Sequence, residues 1–117
     1  MRTYVIERQA VFVPYLEALL TAAGLEIVGV AGTVDVPALG AAAPAAVFVD
    51  VDYLARGGLT ALCTVAAAVR GAKVIAFTEV DDPLFAASCV VSGATAVCSK
   101  SHSEEAMRAA LLAATAR

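Results

Sequence analysis

The chain has 117 residues, 61% of them apolar, with 16% charged residues and a net charge of −3. That length suits a single domain spanning 1–117 and is too short for two of ordinary size. So apolar a composition excludes intrinsic disorder, and eight Lys and Arg scattered singly along the chain argue against a basic nucleic-acid-binding face.

Strand-length apolar runs alternate with segments of helical period. Thr3–Ile6 is short, β-branched and aromatic, and reads as a first strand. Leu16, Leu19, Leu20 and Ala23 then form the stripe of an amphipathic helix, with Gly24 placed to end it. Pro14 fits only in that helix's first turn, so the helix begins near Val11–Val13. Glu26–Ala31 is a second strand. Val34–Ala43, rich in alanine and holding Pro37 and Gly40, gives a short, weak helix at best. Ala46–Val49 is a third strand that ends at Asp50.

After Gly57-Gly58, the stripe Leu59, Leu62, Cys63 and Ala66 marks a third helix, running to about Arg70. Lys73–Phe77 is a fourth strand ending at Thr78. Asp82 as N-cap and Pro83 in the first turn open a fourth helix that reaches about Val91. Thr95–Cys98 is a fifth strand, followed by Lys100. Ser101-His102-Ser103-Glu104 has the spacing of a capping box, ahead of a last helix striped by Met107, Ala110, Leu111 and Ala114.

Five strands apolar along their whole length imply a parallel sheet covered by helices on both faces. Right-handed crossovers make a doubly wound flavodoxin-like (βα)5 fold, strand order 2-1-3-4-5, the simplest topology. Mean hydropathy is high, at +0.82. The longest uncharged run, Pro83–Ser99, is nevertheless only 17 residues and is interrupted by Ser88, Ser92 and Gly93, too short and polar to span a membrane. The first residues, Met1-Arg2-Thr3-Tyr4, show no secretory signal. Cys63, Cys89 and Cys98 are odd in number, lack CxxC spacing and sit in apolar contexts. They read as buried thiols of a reducing compartment, so a cytoplasmic location is expected.

In such sheets ligands bind beyond the carboxyl ends of the strands, where strand order reverses. That rim collects Glu7 and Arg8 after strand one, Asp50 after strand three, Thr78 after strand four and Lys100 after strand five. A carboxylate closing an apolar strand needs solvent, a cation or a partner. The set reads as a phosphoryl site, with Asp50 as acceptor and Thr78 and Lys100 stabilising phosphoryl oxygens. The alternative is a set of strand-end charges paired only for stability. His102, the one histidine, lies in a capping sequence and lacks the neighbours that zinc or catalysis would need.

In these residues the chain resembles the receiver domains of bacterial response regulators, most closely those of the NarL/FixJ type. Glu7-Arg8-Gln9-Ala10-Val11-Phe12 through Leu19-Leu20 fits the start of that frame, and Val47-Phe48-Val49-Asp50 looks like the phosphoacceptor strand. Gly58 stands where the family commonly has glycine. Ile75-Ala76-Phe77-Thr78 looks like the switch strand, and Gly93-Ala94 with Lys100 like the segment carrying the family's lysine. The resemblance implies a non-enzymatic signalling module, phosphorylated on Asp50 by a histidine kinase, with Mg2+ held by two acidic residues after strand one, by Asp50, and by a backbone carbonyl two positions later, here that of Asp52.

The departures point elsewhere. Where two acidic residues are expected stand Glu7 and Arg8, and a guanidinium cannot ligate a cation. Like charges 4 Å apart repel by about 4 kcal/mol at an effective dielectric of 20, so Arg8 is better suited to pairing with Asp50 in the metal's place. Tyr53-Leu54 replaces the Met-Pro that follows the acceptor, and Val97 replaces the aromatic switch residue. The expectation is an atypical receiver, impaired in metal-dependent phosphorylation, with no cofactor. A conventional receiver using Mg2+ at Glu7, Asp50 and the Asp52 carbonyl is the alternative. A small flavodoxin-like binder of flavin or nucleotide ranks third, because no Gly-rich or Ser/Thr-rich phosphate loop follows strand one.

The fourth and last helices carry few charges and flank strand five, the face receivers commonly use to dimerise. This suggests a homodimer through the fourth helix, fifth strand and fifth helix, or else merely an Ala-rich core. An effector protein is the other partner expected.

Overall fold

The computed structural model describes residues 1–52, 58–80, 82–100 and 103–116. Among them the order is β1 (Arg2–Ile6), α1 (Val13–Ala22), β2 (Glu26–Ala31), α2 (Val36–Ala42), β3 (Ala46–Asp50), α3 (Gly58–Ala68), β4 (Lys73–Thr78), α4 (Pro83–Val91), β5 (Ala96–Ser99) and α5 (Glu104–Thr115). The strands pair in parallel in the order β2-β1-β3-β4-β5, as the alternation of strands and helices predicts.

Alternate residues of each central strand face opposite layers. Ile6, Val47, Val49, Val74 and Ala76 pack with Leu39, Leu62, Val65 and Cys89 of α2, α3 and α4. Val5, Phe48, Ile75 and Phe77 pack with Leu16, Leu19 and Leu20 of α1 and with Met107 and Leu111 of α5. Phe48 and Phe77 adjoin across β3 and β4, with ring centroids 5.4 Å apart. Burial on both sides is why these strands have no polar face.

Local chemistry sets the helix ends. Pro14 occupies the first turn of α1, and Gly24 follows that helix at φ +84°, a conformation that needs glycine. Helix α2 is firmer than its composition suggests: the Asp35 carboxylate accepts the Ala38 amide at 3.1 Å, and Pro37 lies in the first turn. Asp82 caps α4 by accepting the Leu84 amide at 2.9 Å.

The last helix corrects the capping-box reading. Ser103, not Ser101, is its N-cap, accepting the Ala106 amide at 3.2 Å. Extended backbone angles at Ser103 bring Glu104 and Glu105 into the first turn, where carboxylates complement the helix dipole. Ser101 and His102 lie outside the described residues, as do Tyr53, Leu54 and Gly57. In α3, Gly58, Leu62 and Val65 are buried and Leu59 and Ala66 pack against the same cluster, as the stripe predicts, but Cys63 is exposed, contrary to expectation. Cys89 and Cys98 are buried. No described helix is long and apolar enough to cross a membrane.

Candidate functional site at the carboxyl edge of the sheet

Among the described residues four polar or charged residues are buried: Thr3, Glu7, Asp50 and Thr78. Three of the four lie where β1, β3 and β4 end. The chain leaves β1 toward β2 on one side and returns at β3 on the other, and Ile6 pairs with Val49, so Glu7 and Asp50 emerge side by side.

Lys100 joins them from beyond β5. Its amide donates to the Thr78 carbonyl at 2.7 Å, anchoring the segment against β4. Its ammonium lies 3.1 Å from Glu7 Oε2 and 3.1 Å from Asp50 Oδ1, and all three side chains are almost wholly out of solvent. The same ammonium stands 4.7 Å from the centroid of the Phe12 ring, which closes the site from the α1 side.

Two buried carboxylates share one buried ammonium, and this shapes the electrostatics. Burial first, and then the adjoining Asp50 carboxylate, push Glu7 up from 4.5 to about 7, against the opposing pull of the Gln9 amide and Lys100. Near neutrality Glu7 is therefore divided between acid and anion. Asp50 Oδ1 also accepts the Asp52 amide at 3.0 Å. Asp50 Oδ2 is buried without a hydrogen-bond partner. Burial holds the Cys98 thiol up at about 11, so it is no thiolate nucleophile.

The structure thus brings together Glu7, Asp50 and Lys100, with Thr78 on the adjoining strand. Arg8 behaves differently from the expected pairing. It is an exposed residue, and Asp50 takes its cation from Lys100. Arg8 lies in the bend that follows β1, whereas Glu7 is buried beside Asp50.

The Asp52 side chain was missed from the sequence, which had used only its carbonyl. Its Oδ1 accepts the Thr78 hydroxyl at 2.6 Å, and its Oδ2 accepts the Glu79 amide at 2.5 Å. The available signal was Asp50-Val51-Asp52, two carboxylates spaced to face one way at a strand end. Phe12 was missed as well, having been read only as part of the helix approach.

A magnesium ion needs several hard oxygens in octahedral array. Asp50 Oδ2 is a buried oxygen left open to a cation, whereas Glu7 Oε2 and Asp50 Oδ1 are already held by Lys100. Among the described residues no three His, Cys, Asp or Glu side chains are grouped to hold a metal.

No family model matches this sequence, and no curated protein matches it. The fold has close counterparts among solved structures. The signal receiver domain of a protein described as response regulator NarL from Mycobacterium tuberculosis superposes with a TM-score of 0.81 at 19% identity, over 99% of this chain and 97% of that one. A protein described as pilus assembly protein cpaE from Burkholderia thailandensis gives 0.80 at 15%, over 100% and 99%. A response regulator from Burkholderia pseudomallei, solved with a phosphorylated aspartic acid, a calcium ion and citrate, gives 0.77 at 23%, over 94% and 65%. The chain has the flavodoxin-like fold of response-regulator receiver domains.

Proposed function

We propose that this chain is an atypical receiver domain, a signalling or regulatory interaction module in which metal-dependent phosphorylation of Asp50 is impaired. One observation carries the reading: Lys100 bridges the two remaining carboxylates of the pocket at 3.1 Å each, while the position of a second acid after β1 is taken by Arg8. The donors present fit a magnesium ion poorly, since Lys100 holds Glu7 Oε2 and Asp50 Oδ1, Asp50 Oδ2 is the carboxylate oxygen left open between them, and no second acid follows β1. On this reading the module is cytoplasmic, binds no nucleic acid itself, and acts through protein contacts.

Magnesium titration followed by calorimetry tests the proposal. The parent is expected to show no binding and Arg8→Asp to acquire it. Equal binding by both overturns the reading.

A second reading, a conventional receiver phosphorylated on Asp50 by a histidine kinase with Mg2+ at Glu7, Asp50 and the Asp52 carbonyl, is favoured by the unpartnered Asp50 Oδ2. That oxygen keeps its lone pairs for a phosphoryl group or a cation. The exposed apolar side chains support a homodimer through α4, β5 and α5. Leu84 is 78% and Val91 88% exposed on α4, and Leu112 is half exposed on α5. An effector protein is the other candidate for that face.

A further inference from the structure

Phe12 has no part in the reading above, yet it is tied to the carboxylate pocket from two directions. The Glu7 carboxylate reaches both ways. Its Oε2 lies 3.1 Å from the Lys100 ammonium, while its Oε1 accepts the Gln9 amide at 3.1 Å. The Gln9 carbonyl accepts the Phe12 amide at 2.9 Å, and the Phe12 carbonyl accepts the Leu16 amide at 3.1 Å. Phe12 is thus fixed between the turn after β1 and the start of α1. Its ring leans on that of Tyr15, with centroids 5.2 Å apart, and packs against the core layer that α1 and α5 cover. The Lys100 ammonium lies over this ring, 4.7 Å from its centroid.

These contacts close a circuit from Lys100 to Glu7, on to Gln9 and Phe12, and back to Lys100. An ammonium is a compact, strongly hydrated charge on a flexible stem, and an aliphatic wall beside it only keeps water away. An aromatic face also attracts the charge, the more so where water is excluded. Lys100, with 4% of its side chain exposed, is in that regime. We propose that Phe12 is a positioning residue: its ring seats the Lys100 ammonium between Glu7 and Asp50 and sets how readily the lysine releases them. The hold on Lys100 stands on these contacts alone. Its consequence for a cation or phosphoryl group rests on the reading of the pocket above, because either would have to share Asp50 with Lys100.

Lysine labelling on the full chain tests this. The chain has two lysines, Lys73 and Lys100, so one serves as reference for the other. Lys73 begins β4, at the end of the sheet away from Phe12, and its ammonium donates to the Ala116 carbonyl. Trace acetylation with acetic anhydride, read by peptide mass spectrometry as Lys100 over Lys73, measures how often the Lys100 ammonium is released. In Phe12→Leu, which keeps an apolar cover without the aromatic face, the ratio should rise about fivefold or more. Phe12→Tyr restores the face and should stay within about twofold of the parent. Thermal melts by circular dichroism establish that each variant is folded at the labelling temperature, and Phe12→Met takes the place of a leucine variant that is not. A parent-like ratio in the aliphatic variant overturns the proposal. An equal rise in Phe12→Tyr overturns it as well, since cover rather than the aromatic face would then hold the lysine. The labelling uses neither metal nor phosphoryl donor. A phosphorylated parent would therefore overturn the atypical reading and leave this result standing, so the two failures are distinguishable.

Discussion

The Lys100 ammonium lies 3.1 Å from Asp50 Oδ1, with 4% of the lysine side chain and none of the aspartate side chain exposed. A buried ion pair contributes little net stability when whole, but removing one partner leaves an uncompensated charge. Here one cation answers two carboxylates, so its loss is felt twice.

Lys100→Met is therefore expected to lower the stability at pH 7 by about 3–5 kcal/mol. The loss should shrink on acidification, because stranded carboxylates relieve their burial by taking up protons. Urea unfolding at pH 7 and pH 5 measures both. A loss below about 1 kcal/mol at pH 7, the worth of an exposed pair, would contradict the buried geometry.

Glu7 gives a pH dependence of defined sign. Its folded value is about 7 against 4.5 unfolded, so between those values the folded state binds more protons. Its contribution is fully present below the unfolded value and is lost as pH rises through the folded one, with a slope of at most about 1.4 kcal/mol per pH unit. Unfolding free energies from pH 4.5 to 8 should show this slope in the parent but not in Glu7→Gln. Parallel curves for the two proteins would show that Glu7 is not held in this way.

Gly58 begins α3 where a Cβ would come within 2.2 Å of the Val51 carbonyl oxygen. Backbone on both sides leaves no side chain to yield, so Gly58→Ala should cost about 1–3 kcal/mol, read as a drop in melting temperature. Gly40→Ala, with nothing within 4 Å of the added methyl, is the control and should be neutral or stabilising. Equal melting temperatures for the two variants would contradict the close approach.

Much of this was legible in the sequence because apolar runs and turn residues are local signals. Asp82-Pro83 announced α4, the stripe Leu16, Leu19, Leu20 announced α1, and the strand ends placed Glu7, Asp50, Thr78 and Lys100 on one rim. Other features depend on direction and partnership, which spacing does not carry. The sequence allowed Ser101 as cap, and the backbone angles at Ser103 chose otherwise. Cys63 shares an apolar stretch with Leu62 but turns outward, because the buried stripe of α3 passes through Val65. The sequence favoured Arg8 as the partner of Asp50, and the structure gives that place to Lys100 from beyond β5. Asp52 was visible as a residue, but its bond to Thr78 requires the β3 and β4 ends to be adjacent.

On the proposed reading, the exposed apolar side chains of α4 form the dimer face and take no part in the core. Leu84→Glu combined with Val91→Glu should leave the melting temperature within a few degrees and abolish concentration-dependent dimerisation in light scattering. A dimer that persists in the double variant would place the interface elsewhere.

The central claim is that the hold of Lys100 on Glu7 and Asp50, with no second acid after β1, impairs metal-dependent phosphoryl chemistry in the pocket. Intact mass after incubation with acetyl phosphate and magnesium tests it most directly, with Asp50→Asn alongside. The account predicts no added phosphoryl group on the folded parent. A gain of one phosphoryl group in the parent that is absent from Asp50→Asn would contradict it and restore the conventional receiver.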